Sequence, residues 1–315
     1  MDYLKNLVLT PDETKVVYLV TEGDDGVPPG NNGTLRKINL TSGTETDITL
    51  PDETVTAWGV PSDSSTVAYA GMSRSGGDPY LALADLSTGV IERKEGVPDE
   101  LLNGFFWSGP KNLAFLGASP DAPEDESPHP VVVMDENPDP VILTLFAIDT
   151  GKVTAITKNT DVIYEYKPSP DGKYIIYKSS VYPESRLDNP VFTYYLLNVV
   201  NGTEDEIMSR VEGYQDENEC AWAPDSSYVY IERMHNGGIH YPVRYLTAIV
   251  VLNPITKNLE EIPLQCERGI HQDIFNNDVG ITPFNGGAYA LLSNGTNPVL
   301  ARFDRNDSGW EMSIL

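Results

Sequence analysis

The stretch Tyr166-Lys167-Pro168-Ser169-Pro170-Asp171-Gly172-Lys173, followed directly by Tyr174-Ile175-Ile176-Tyr177, decides the fold. It reads as a short inner segment, a Pro-Asp-Gly turn and a strand. A polar loop then leads to residues 192–200, rich in β-branched and aromatic side chains, and Asn201-Gly202-Thr203 turns the chain into another strand. Each part has a physical reason. Proline presets φ at the second turn position, the aspartate carboxylate accepts backbone N–H groups, and glycine tolerates a left-handed backbone. The apolar strand after the turn is the pattern of a strand packed on both faces.

Working outward, the same unit recurs. Thr10-Pro11-Asp12, Pro61-Ser62-Asp63, Ser108-Gly109-Pro110, Ala223-Pro224-Asp225 and Thr282-Pro283-Phe284-Asn285-Gly286 each precede a short apolar strand. Thr-Gly, Ser-Gly, Asn-Gly or Asn-Pro turns follow further along. No stretch carries a sustained helical period with caps, so helices should be few. Turn signals at this spacing, with four short strands per interval, predict an all-β chain. The expected architecture is a six-bladed β-propeller with four antiparallel strands per blade, closed without an exchanged strand. The blades fall at about residues 5–50, 55–95, 104–157, 164–208, 219–263 and 276–315 of one domain spanning 1–315. Trp58, Trp107 and Trp222 stand at equivalent places before the turn and are expected to fill the wedge between neighbouring blades.

The chain carries 47 acids against 21 Lys and Arg, a net charge of −26. That argues against nucleic-acid binding, which needs positive charge to displace counterions, and against docking on an anionic bilayer. No apolar run reaches the ~18–20 residues of a membrane span, so no membrane insertion is expected. Met1-Asp2-Tyr3-Leu4-Lys5 lacks the pattern of a signal peptide. The expected location is cytoplasmic, or extracytoplasmic if a signal segment has been removed. Cys220 and Cys266 have no Cys-x-x-Cys spacing; they are either two separate thiols or a disulfide across a blade boundary.

With Thr10-Pro11-Asp12, Pro61-Ser62-Asp63, Ser169-Pro170-Asp171-Gly172-Lys173 and Ala223-Pro224-Asp225 as carriers, the chain resembles TolB-type propellers. It also resembles the N-terminal propeller domains of prolyl-oligopeptidase-family serine peptidases. The pattern covers nearly the whole chain. The peptidase resemblance implies a hydrolase domain with a Gly-x-Ser-x-Gly nucleophile elbow. No such motif occurs here, so no catalytic residue is carried over. Peptidase propellers commonly have seven or eight blades, and six are found here.

The Pro-Asp-Gly side of each unit has tight turns, whereas the long loops all fall on the opposite side, where function is expected. Its candidate ligand or partner contacts are Arg74, Asp121, Glu124, Asp125, Glu126, Arg186, Arg233, Arg244 and Arg268. His235, His240, His271 and Gln272 form a candidate divalent-metal set. Some TolB-like pectic lyases carry a His-and-Gln metal site on such a face, and the plainer reading is hydrogen-bonding loop residues. No cofactor is expected; a divalent metal is the alternative. The leading function is a non-catalytic module that binds a protein or peptide on the long-loop face, free-standing or as the propeller part of a serine-peptidase-like protein. The alternatives are a metal-dependent lyase-type enzyme using the His set and a structural fragment of a larger hydrolase.

Overall fold

The computed structural model describes residues 2–10, 12–22, 33–61, 65–118, 141–157, 162–180, 191–212, 220–235, 245–262, 281–294, 297–306 and 309–315. They form six four-stranded antiparallel sheets, each with its strands in simple chain order. The first holds β1 (Asp2–Leu9), β2 (Lys15–Glu22), β3 (Thr34–Asn39) and β4 (Glu45–Asp47), and the second β5 (Glu53–Gly59), β6 (Thr66–Ser73), β7 (Tyr80–Asp85) and β8 (Ile91–Lys94). A five-residue helix, α1 (Asp99–Asn103), leads to the third sheet: β9 (Phe106–Trp107), β10 (Asn112–Ala118), β11 (Val141–Ala147) and β12 (Lys152–Ala155). The fourth contains β13 (Val162–Pro168), β14 (Tyr174–Ser180), β15 (Val191–Asn198) and β16 (Thr203–Glu212). The fifth contains β17 (Cys220–Trp222), β18 (Val229–His235), β19 (Tyr245–Leu252) and β20 (Leu259–Ile262). The last contains β21 (Thr282–Phe284), β22 (Gly287–Asn294), β23 (Asn297–Asn306) and β24 (Gly309–Ile314).

The turn between the first two strands of each sheet is built as the residue types demand. Thr10 Oγ1 donates to Asp12 Oδ1 at 2.6 Å, and the Thr14 amide donates to the same oxygen at 3.1 Å. Hydrogen bonds from Thr10 and Thr14 hold the Asp12 carboxyl down at about 2. Ser169, Asp171 and Lys173 repeat the arrangement, with Ser169 Oγ donating to Asp171 Oδ1 at 2.7 Å and the Lys173 amide at 3.1 Å. The left-handed residue of the turn is Glu13 (φ 54°) in the first sheet, Gly172 (φ 70°) in the fourth and Ser226 (φ 63°) in the fifth. Ser226 has a reason to stand where glycine is easier: its buried hydroxyl accepts the Asp171 amide of the neighbouring sheet's turn at 3.0 Å.

In the sixth sheet the turn does not follow Pro283. That residue lies inside β21, paired with Ala288, and the reversal is the two-residue loop Asn285-Gly286 closed by Phe284 and Gly287. Asn-Gly with a left-handed glycine (Gly286, φ 88°) is the stronger hairpin signal and overrides the proline. In the first, second, fourth and fifth sheets the turn between third and fourth strands sets an Asx side chain over two amides, as Asn39 does for Thr41 and Ser42 and Asp85 for Ser87 and Thr88.

The inner strands carry the core. In β6, Val67, Ala68, Tyr69 and Ala70 are fully enclosed, whereas β4 and β12 are exposed throughout. The chain separates into two compact units, residues 1–123 with 141–160, and residues 124–140 with 161–315. In the first unit, Val17, Leu19 and Leu35 pack on Val55, Val67 and Tyr69, while Ala68, Ala70 and Leu81 pack on Leu113, Phe115 and Phe146 over Leu101 and Leu102 of α1. In the second, Ile176, Tyr194 and Leu196 meet Trp222, Val229 and Ile231, and Tyr230, Ile249 and Val251 meet Ala288, Leu292 and Phe303. Each such Val, Leu, Ile or Phe side chain adds about 1.5–3 kcal/mol when fully removed from water.

Two of the expected wedge tryptophans bridge neighbouring sheets directly. Trp107 Nε1 donates to the Gly59 carbonyl at 2.8 Å, and Trp222 Nε1 donates to the Lys167 carbonyl at 2.8 Å. Trp58 packs, partly buried, in the cluster between the first and second sheets.

The expectation of a six-bladed propeller closed into a ring is overturned. The structure contains six blade-type sheets, each open at both edges, and no sheet is closed. Backbone pairing is exhausted inside each four-stranded sheet. Among the described residues one isolated bridge, from Gly33 to Val55 of β5, lies outside these ladders; the described junctions between neighbouring sheets rest chiefly on side chains.

Candidate functional site

The most elaborate polar cluster among the described residues lies in the first unit, at the loop end of the second sheet. It begins with a turn. Leu50-Pro51-Asp52-Glu53 leads into β5, the Glu53 amide donating to the Leu50 carbonyl at 3.1 Å and the Glu53 carboxylate returning to accept the Leu50 amide at 3.0 Å. The reciprocal pairing resembles a capping box transplanted to a strand entrance. Glu53 is only 2 % exposed.

Three further strands complete the site. Tyr69 on β6 donates its hydroxyl to Glu53 Oε2 at 3.3 Å. Arg93 on β8 donates from Nη2 to Glu53 Oε1 at 2.7 Å and to the Tyr80 hydroxyl at 3.3 Å. Its guanidinium carbon lies 4.0 Å above the centre of the Tyr80 ring, and Tyr80 in turn hydrogen-bonds Glu53. The register explains the convergence: Tyr69 pairs with Ala82 and Ala82 with Arg93, while Gly71 pairs with Tyr80, so all point to one face. Gly71 leaves room for them: a Cβ there would come within 3.0 Å of the Tyr69 ring and 3.2 Å of the Tyr80 ring, and both would have to give by a few tenths of an ångström.

Arg74 closes the other side. Its Nε donates to the Glu53 carbonyl at 3.2 Å, its Nη2 to Thr34 Oγ1 of β3 at 3.0 Å, and its amide to the Asp52 carbonyl at 2.6 Å. Beside it, Gly33 and Val55 exchange backbone bonds of 3.3 and 2.8 Å. A Cβ on Gly33 would sit 2.3 Å from the Val20 carbonyl oxygen of β2, so alanine there would push against β2 within the first sheet and disturb the bridge to Val55.

The electrostatics follow from the donors. Burial alone would raise the Glu53 pKa, but hydrogen bonds from Tyr80, the Leu50 amide, Arg93 and Tyr69 outweigh it, and the carboxyl is held below its ordinary value. Burial, with the Glu53 charge beside them, pushes both Tyr69 and Tyr80 well above the usual phenol range. A carboxylate already accepting several bonds is a poor general base, and phenols raised this far are poor acids. The group able to act outward is Arg93, whose side chain is 56 % exposed.

The second unit carries a cluster of opposite sense. Lys178 on β14, 2 % exposed, places Nζ 3.4 Å from Glu165 Oε2 of the facing β13 and 4.9 Å above the Phe192 ring. Lys167 approaches the other oxygen of Glu165 at 3.7 Å.

Of the sequence-derived candidates, Arg74 is placed as above. Arg233 and His235 lie on β18, in register with Ala248 and Tyr245; their side chains are outside the described residues. Cys220 is buried on β17 in the core of the second unit. Asp121, Glu124, Asp125, Glu126, Arg186, His240, Arg244, Cys266, Arg268, His271 and Gln272 lie outside the described residues. Among the described residues, no group of three or more His, Cys, Asp or Glu is placed to hold a metal ion, and no helix is long and apolar enough to cross a membrane. Glu53, Tyr69, Tyr80 and Arg93 were not anticipated. Their one local signal was the Pro51-Asp52-Glu53 turn.

No family model and no curated protein matches the chain. Solved structures do match its fold. The acylaminoacyl peptidase of Pyrococcus horikoshii is similar with a TM-score of 0.61 at 14 % identity, over 100 % of this chain and 46 % of that one. The β-propeller domain of the trilobed protease of Pyrococcus furiosus, which has an open velcro topology, gives 0.60 at 12 % identity, over 98 % of this chain and 84 % of the other. An oligogalacturonate lyase of Vibrio parahaemolyticus gives 0.59 at 15 % identity, over 98 % and 79 %. The chain spans less than half the length of the full peptidase it matches. At these identities the likeness is one of fold: blade-type sheets related at low identity to propeller domains of peptidases.

Proposed function

We propose that the chain is a non-catalytic binding module whose partner, a protein or peptide, docks at the loop end of its sheets. The observation that carries this reading is the Glu53 cluster. Its carboxylate is saturated and its tyrosines are raised, so it suits a rigid platform better than proton transfer, yet it presents one cation to solvent. Rigid sheets displaying loops at one end are the usual basis of such recognition. The likeness in fold to peptidases supports a peptide as the partner.

The test is selection of displayed random peptides on the immobilised chain, followed by calorimetry with the enriched sequences. Saturable one-to-one binding in the micromolar range is expected, without turnover of the peptide. Steady hydrolysis or lyase turnover by the purified chain, lost on a single substitution, would overturn the reading.

A further inference from the structure

The described arginines differ in how much of each guanidinium the protein itself engages. Arg36 donates from Nε to Asp47 and from Nη1 to Glu45. Arg74 donates from Nε and Nη2 to Glu53 O and Thr34. Arg302 forks onto Asp304 through Nε and Nη2, and Arg305 onto Glu260 through Nη1 and Nη2. Arg93 alone of these five uses a single nitrogen, Nη2. Its Nε–H and both Nη1 hydrogens have no acceptor among the described residues, although the group is stacked on Tyr80 and tethered to a buried carboxylate.

We propose that Arg93 is a recognition site for a single carboxylate on a peptide partner that is otherwise neutral or basic, a free C-terminus being the simplest case. The inference rests on the binding-module reading and names the chemistry of its partner.

Three features support it. Stacking on Tyr80 and the bond to Glu53 fix the fork before the ligand arrives, so little side-chain freedom is lost on binding. Glu92 and Lys94, the neighbours of Arg93 on β8, pair with each other at 2.7 Å, and alternation along the strand turns them to the opposite face. Arg74 hydrogen-bonds the backbone carbonyl of the same Glu53 whose carboxylate tethers Arg93, so a second guanidinium stands at the same turn on a chain of charge −26. That overall charge selects the ligand. A dianionic phosphate or a polyanion meets long-range repulsion that one carboxylate on a neutral or basic segment does not.

The experiment follows arginine Nε–Hε resonances of the full chain, labelled on arginine, during titration with N-acetylglycine and, separately, N-acetylglycine amide at about 20 mM ionic strength. The expected result is a saturable shift of the Arg93 resonance with the carboxylate and none with the amide. Arg302, also stacked on aromatic rings but with its Nε already bonded to Asp304, should stay in place. Arg93→Lys keeps the charge beside Glu53 and should weaken N-acetylglycine binding, followed by other shifted resonances, at least about fivefold. An unmoved Arg93, equal shifts at Arg93 and Arg302, or unchanged affinity in Arg93→Lys would each overturn the proposal. Selected peptides that bind while Arg93 is indifferent to their carboxylates would sink this inference and leave the module reading standing. A carboxylate shift without any peptide binding would do the reverse.

Discussion

Among the described residues each unit has a charged side chain in its interior, and the two are of opposite sign. In the first, the acid is inside: Glu53 is 2 % exposed and its partner Arg93 is 56 % exposed. In the second, the base is inside: Lys178 is 2 % exposed and its partner Glu165 is 19 % exposed. The two differ in what they are built to do. Glu53 organises four donors from the start of its own strand, the rest of its sheet and the connection from the first sheet. Lys178 joins two facing strands and rests on one ring. An acceptor that collects donors is a hub. A buried ammonium that meets a facing carboxylate and sits over a ring is closer to a local tie.

The largest expected effect tests that difference. Removing a buried acceptor strands every donor aimed at it, so Glu53→Ala should cost about 3 kcal/mol or more. Replacing Lys178 by Met fills the same space without charge and leaves Glu165 with Lys167 and some water, so the cost should stay within about 1 kcal/mol. Urea denaturation followed by intrinsic fluorescence gives both numbers. Equal losses in the two variants would mean that the hub and the tie are not distinct.

Acidity separates them at smaller amplitude. The folded pKa of Glu53 lies below its ordinary value of 4.5. Stability from this group is therefore present above that value and is lost as the pH falls through the depressed folded pKa. The gap in denaturation midpoint between the native chain and Glu53→Gln should narrow between about pH 5 and pH 3. A gap that widens over the same interval would mean that Glu53 is protonated in the folded chain.

How much of this was legible beforehand depends on sequence distance. The Asp12 and Asp171 turns were readable because donor and acceptor lie within two residues of each other. Trp107 and Trp222 were readable as wedge residues because they recur at one place in the unit. Their bonds to Gly59 and Lys167 were not, since these depend on packing between sheets. In Thr282-Pro283-Phe284-Asn285-Gly286 two turn signals compete, and the reversal falls on Asn285-Gly286 while Pro283 pairs inside β21. Glu53, Tyr69, Tyr80 and Arg93 come from four strands and meet only through register, which composition does not encode. Ring closure failed for a related reason: a repeat specifies the unit, and nothing in it specifies that the ends meet.

A finer contrast lies at Lys257, in the turn between β19 and β20. Equivalent turns place glycine at the left-handed position: Gly43, Gly89, Gly151 and Gly202 have φ between 66° and 75°, and Lys257 has φ 61°. A lysine there costs about 1 kcal/mol of backbone strain. What it gains is an ion pair, Nζ lying 2.6 Å from Asp205 Oδ2 of the neighbouring sheet, with the two side chains 48 % and 33 % exposed. Exposed pairs contribute only about 0–1 kcal/mol. The strain should therefore slightly exceed the pairing. Lys257→Gly removes both terms and should stabilise the chain by a few tenths of a kcal/mol, roughly up to 0.5. Lys257→Ala keeps the strain while deleting the pair and should destabilise by about 0.5 kcal/mol. If glycine proves less stable than the native lysine, the bridge to Asp205 outweighs the backbone. The fourth and fifth sheets would then be held by surface charge as well as by Trp222 and the Ser226 contact to Asp171.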